Sequence, residues 1–113
     1  MIRWMPSGWR LSNLAELGDV VDKVRSKNAG PFWLTVDIFC GSDAAFDRVV
    51  SGLGTGRVAA VFGTEAAAIK RFDIPSLNVV KFSLPRPSVQ GAVDDRDMHG
   101  ASWAALIAEL DIN

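Results

Sequence analysis

The stretch RSKNAGPFWLTVDIF, residues 25–39, divides the chain at Ala29-Gly30-Pro31, and the reading of its two sides decides the fold. Downstream, residues 32–40 alternate as a strand does, with successive side chains on opposite faces. Phe32, Leu34, Val36, Ile38 and Cys40 form a uniformly apolar set. Trp33, Thr35, Asp37 and Phe39 form the other, a mixture of polar and aromatic groups suited to the border of a groove, a loop or a partner. Upstream, Leu14, Leu17, Val21 and Val24 fall on one helical stripe, with Asp19, Asp22 and Lys23 on the polar side. Ser12 or Asn13 serves as N-cap, and Glu16 completes a capping box after Asn13. Gly18 inside this helix costs roughly 1 kcal/mol against Ala and marks close packing. The expected helix ends near Lys27 or Asn28, where Asn28 or Gly30 takes the left-handed conformation and Pro31 forbids continuation.

Working outward, Ser42 caps a second expected helix over residues 43–51, with Ala45, Phe46, Val49 and Val50 on its apolar face. Gly52-Leu53-Gly54-Thr55-Gly56 carries a G-x-G-x-G pattern, but the Walker lysine is absent and a helix, not a strand, precedes it. It reads as a connector to a third helix that ends at Gly63. Two extended runs, 66–73 and 78–84, flank the turn Ile74-Pro75-Ser76-Leu77 and make a hairpin. Pro85-Arg86-Pro87 ends the second run abruptly. Residues 88–101 form a polar loop, and residues 103–111 read as a helical turn followed by a strand. The expected class is α+β, an antiparallel or mixed sheet covered by helices, with a ferredoxin-like sandwich as the candidate.

At 113 residues the chain is long enough for one core and buries about 65% of its unfolded surface. Residues 12–113 make one domain, preceded by an 11-residue tail with Trp4 and Trp9. A formal net charge of −1 offers no global basic field, so neither nucleic acid nor a membrane surface is an expected partner. Cys40 is the single cysteine, which excludes an internal disulfide and reads as a small buried hydrophobe at a strand end. With no apolar leader segment and no apolar run of about 18 residues, the expected location is the cytoplasm.

The candidate site gathers Arg25, Lys27, Asn28, Lys81, Arg86 and Asp97. Cations at a helix C-terminus compensate its dipole, which accounts for part of Arg25 and Lys27. Arg86, held between two prolines, suits bidentate binding of a carboxylate or phosphate, with Lys81 on the strand before it. Two readings stand: a polyvalent site for a carboxylate or an acyl-CoA phosphate, and a structural network joining these cations to Asp37, Asp95 or Asp97. Asp94, Asp95, Asp97 and His99 lack the spacing and terminal glutamate of a calcium loop, and neither a metal nor a cofactor is assigned.

Three stretches, RSKNAGPFWLTVDIF at 25–39, FDIPSLNVVKFSLPRP at 72–87 and DDRDMHGA at 94–101, resemble a bacterial family of domains of unknown function about a hundred residues long. The resemblance runs from about residue 12 to the end. Its members occur alone, or attached to or encoded beside proteins of the acyclic-terpene-utilisation type, and they often carry an aromatic where His99 stands. The resemblance implies a small accessory or co-catalytic subunit of a larger protein of branched acyl or hydroxy-acid catabolism. It transfers no catalytic residue, so whether the domain is itself an enzyme stays open. The alternatives are a stand-alone carboxylate- or acyl-CoA-binding enzyme of lyase type and a homodimeric interaction domain that exposes the Trp33/Phe39 face.

Overall fold

A computed structural model describes residues 15–86 and 103–112. The tail of residues 1–11, the caps Ser12 and Asn13, the stripe residue Leu14, and the loop bearing Asp94, Asp95, Asp97 and His99 lie outside the described residues. The elements in chain order are β1 (Ala15–Glu16), α1 (Leu17–Val20), β2 (Lys23–Asn28), β3 (Trp33–Phe39), α2 (Asp43–Gly52), α3 (Thr55–Phe62), β4 (Lys70–Ile74), β5 (Val79–Pro85), α4 (Trp103–Ala108) and β6 (Asp111–Ile112). The class is α+β, as the pattern of the sequence implies.

The first expected helix is corrected. Only Leu17–Val20 is helical, and Lys23–Asn28 is a strand paired antiparallel with β3. Val20, Val21 and Val24 are β-branched and lose side-chain freedom in a helix, which favours extended backbone here. From Lys23 onward a period of two fits as well as the helical stripe: Lys23, Arg25 and Lys27 are exposed, while Val24, Ser26 and Asn28 turn inward. Gly30 (φ 84°) lies in the turn of the resulting β2–β3 hairpin rather than closing a helix. Gly18 does mark close packing: a Cβ there would stand 3.1 Å from the Ala108 Cβ.

The main sheet has strand order β2-β3-β5-β4, antiparallel throughout, and β1 pairs with β6 in a separate two-stranded ladder. Around this sheet the elements run ββ, two helices, ββ, helix, which is the β-α-β-β-α-β order of the ferredoxin-like motif entered at a different point. Leu34, Val36 and Ile38 of β3 and Val80, Phe82 and Leu84 of β5 are completely buried. They pack in one core with Leu17, Val49, Leu53, Val58, Phe62, Ile107 and Ile112 from the covering elements. Each such side chain contributes about 1.5–3 kcal/mol by leaving water.

Three polar side chains fix the ends of the helices. The Ser42 hydroxyl accepts from the Ala45 N–H at 3.1 Å and caps α2, as its position implies. Arg71 of β4 donates to the Leu53 carbonyl at 2.6 Å and to Asp73 at 2.9 Å, closing the end of α2 where the G-x-G-x-G connector begins. Ser26 of β2, buried, accepts from the Ala104 N–H at 2.9 Å and so caps α4 from 78 residues away. The expected hairpin forms between β4 and β5, but its first strand starts at Lys70, after a 3-10 turn over Ala66–Ala68, and Asn78 lies in the turn at φ 53°, a conformation asparagine tolerates. The helical turn and terminal strand expected after residue 103 are α4 and β6.

Truncation of the central core side chain, Phe82→Ala, is expected to cost about 3–5 kcal/mol. Lys27→Ala on the exposed side of β2 should stay within about 0.5 kcal/mol. Urea unfolding followed by far-UV circular dichroism measures both.

Candidate functional site

Strand alternation sorts the sequence-derived candidates onto two sides of the main sheet. Arg25 and Lys27 stand on the face away from the helices, as does Lys81, because the register places Arg25 opposite Asp37 and Asp37 opposite Lys81. Asn28 stands on the helix-covered face. Arg86, one residue past the end of β5, reaches it there: its guanidinium Nη1 donates to the Asn28 carbonyl oxygen Oδ1. The placement of Arg25, Lys27 and Asn28 at a helix C-terminus is thus corrected, since all three belong to β2 and the two cations have no helix dipole to compensate. Asp97 lies outside the described residues.

Arg86 is 8% exposed, and its backbone N–H donates to the Phe32 carbonyl at 2.8 Å, pinning the end of β5 beside the β2–β3 hairpin. The Asn28–Arg86 contact therefore joins the two hairpins at one end of the sheet. On the other face, Lys81 Nζ lies 3.6 Å from Asp37 Oδ1, an ion pair just beyond hydrogen-bond length. The Asp37 Oδ1 makes no hydrogen bond and is buried, so the ion pair with its strand neighbour Lys81 is what balances its charge. This realises one part of the expected structural network, the link from a cation to Asp37.

The face away from the helices has no described element over it. Its cross-strand rows are Lys23–Phe39–Val79–Ile74, Arg25–Asp37–Lys81–Phe72, Lys27–Thr35–Ser83–Lys70 and, at the end, Trp33–Pro85. Five cationic side chains share it with one carboxylate, and all four lysines of the chain are among them. Trp33 is 41% exposed and Phe72 48% exposed, while the Lys23 ammonium sits 5.7 Å over the ring of Phe39. Lys23, Lys70 and Phe72 were not among the sequence-derived candidates. Their signal was the period of two across residues 23–28 and 70–74, which becomes readable as a shared face only when the register is known.

Elsewhere the chemistry is modest. A shallow depression of about 330 Å³ is lined by Asp43, Phe46, Asp47, Pro75 and Asn78, at the start of α2. Its two carboxylates and lack of a cation suit no anionic ligand. Cys40 is buried, its thiol within 3.8 Å of the Ile38 carbonyl, and loss of water pushes its pKa up, away from the thiolate a nucleophile needs. Among the described residues, no group of three or more His, Cys, Asp and Glu is arranged to hold a metal ion, and no helix is long and apolar enough to cross a membrane.

With this geometry in view, the comparisons with known proteins give one result. Residues 17–111 match the family described as Domain of unknown function (DUF4387), and the chain belongs to that family. No curated protein and no solved structure matches the chain.

Two outcomes follow from the buried groups. Asn28→Ala removes an acceptor from a buried guanidinium and should lower stability by about 1–3 kcal/mol in urea unfolding, with Ala29→Ser on the exposed turn as a near-silent control. Cys40 should react with Ellman's reagent at mildly alkaline pH far more slowly in the folded protein than in denaturant, because burial raises its pKa and blocks access.

Proposed function

We propose that this domain is a small accessory subunit that docks on a larger catalytic protein through the open face of its main sheet. The observation that carries this reading is the composition of that face: all four lysines, Arg25 and two substantially exposed aromatic rings on one rigid, hydrogen-bonded surface. Among the described residues the main sheet is covered on one side only; such a sheet presents a flat platform, and aromatic and arginine side chains are the groups that anchor protein interfaces. The resemblance of residues 25–39 and 72–87 to domains attached to or encoded beside acyclic-terpene-utilisation-type proteins supports the choice of partner. Both stretches contribute strands to this sheet, β2 and β3 from the first, β4 and β5 from the second.

A bacterial, cytoplasmic subunit of branched acyl or hydroxy-acid catabolism is the setting this reading implies. The stand-alone lyase-type enzyme draws less support from the same geometry, because Arg25, Lys27 and Lys81 stand on one face and Asn28 and Arg86 on the other. They cannot converge on one small carboxylate. A homodimer through the Trp33/Phe39 face would oppose two surfaces of like charge, which costs association free energy.

Co-expression with the acyclic-terpene-utilisation-type protein of the same source tests the proposal. The expected result is one stable complex in size-exclusion chromatography with light scattering. A protein that elutes as a free monomer in the partner's presence contradicts it.

A further inference from the structure

Resting on the subunit reading, the charge pattern of the open face specifies the partner surface. We infer that the open face binds an acidic protein surface with apolar side chains interspersed, the acidic groups meeting Lys23, Arg25, Lys27 and Lys70 and the apolar groups covering Trp33 and Phe72. The argument begins with segregation. The whole chain has 12 Lys and Arg against 13 Asp and Glu, so it is nearly neutral. Among the described residues, the open face holds five cations and a single carboxylate, and that carboxylate is paired with Lys81. Such clustering raises the local positive potential, which steers and orients an oppositely charged surface even when the net charge gives no hint of it.

Three other occupants fit less well. A second copy of this chain, packed face to face, would bring five cations against five. A membrane surface would need the lysines beside an amphipathic element that enters the headgroups, whereas Phe72 and Trp33 lie on a sheet, two strands and four register positions apart. Single-stranded nucleic acid stacks successive bases on neighbouring aromatic rings. Here Trp33 and Phe39 are six positions apart on one strand, roughly 20 Å at the rise of an extended chain. Phe72 is two strands away from β3, roughly 10 Å in the hydrogen-bonding direction, and Phe39 already carries the Lys23 ammonium. These rings form separate apolar spots between cations, a spacing that suits the side chains of a folded or helical acidic partner.

The test titrates the full-length protein into a fluorescein-labelled peptide of about 20 residues, rich in Glu and Asp and carrying several leucines, and follows anisotropy. Parallel titrations use a Lys-rich peptide of the same length and an oligothymidylate. Binding of the acidic peptide is expected, with affinity falling about tenfold as salt is raised from low to roughly physiological strength and beyond. The triple variant Lys23→Glu, Lys27→Glu, Lys70→Glu should weaken it by at least about tenfold, and Arg48→Glu on the helical side by less than about twofold. Thermal unfolding confirms that each variant is folded. No binding of the acidic peptide, equal binding by the folded triple variant, or tighter binding of the oligothymidylate overturns the inference, the last by assigning the face to nucleic acid. Failure of the two readings is separable. A larger protein that co-purifies equally well with the triple variant leaves the subunit reading standing and defeats this one. Acidic-peptide binding that depends on the three lysines, with no co-purification, does the reverse.

Discussion

Burial of the even-numbered side chains of β3 and β5 is the constraint on which the rest of the structure depends. Leu34, Val36, Ile38, Val80, Phe82 and Leu84 have no contact with water, and they form the floor on which α2, α3 and α4 pack. Because side chains alternate along a strand, this one choice sends Trp33, Thr35, Asp37, Phe39, Val79, Lys81 and Ser83 to the other side. A register slip of a single residue would drive Asp37 and Lys81 into the core and expose six large apolar groups. The two outer strands inherit the same phase, so the lysines of β2 and β4 must project outward as well. The cationic face is thus a geometric consequence of the core, not an independent feature of the surface.

The sheet is tied at two places by polar groups that the core does not supply. At the end of β5 Arg86 bonds Asn28 and, through its backbone, Phe32. On the edge strand β4, level with the middle of β5, Arg71 holds the end of α2 while its guanidinium lies 5.4 Å over the ring of Phe82. Two arginines that sequence inspection would count as surface charge are therefore spent inside the fold. The lysines remain outside. Lysine keeps a strongly hydrated head on a long apolar stem, so it covers neighbouring surface while its charge stays in water. With Arg71 and Arg86 turned to the helix-covered side, the four lysines and Arg25 give the open face a consistent sign.

Much of the architecture is legible in the sequence. The alternation from Trp33 to Cys40, the Ser42 cap, the glycine connector and the hairpin around Pro75 each depend on neighbours a few residues apart, and local rules read them correctly, whereas Phe32, expected in the apolar set, is 60% exposed ahead of β3. Residues 17–28 defeat those rules because Leu17, Val21 and Val24 satisfy a helical stripe while Lys23, Val24, Arg25, Ser26 and Lys27 satisfy a strand. Pairing with β3 decides the matter, and that is a tertiary fact. The candidate site shows the same limit. That Arg86 and Asn28 meet is legible as a conjecture from two stiff chain ends. That Arg25 and Lys27 face away from Asn28 is not, since it requires the strand assignment. Ser26 as the cap of α4 has no local signal at all, because its partner lies 78 residues further along.

The lysine amines offer the most direct measurement of the central claim, since every one of them belongs to the open face. Acetylation rates, read residue by residue by mass spectrometry with and without the acyclic-terpene-utilisation-type protein, report which amines a partner covers. The account predicts that Lys23, Lys27, Lys70 and Lys81 all slow together on complex formation. A complex in which the four lysines react as fast as in the free protein would contradict it.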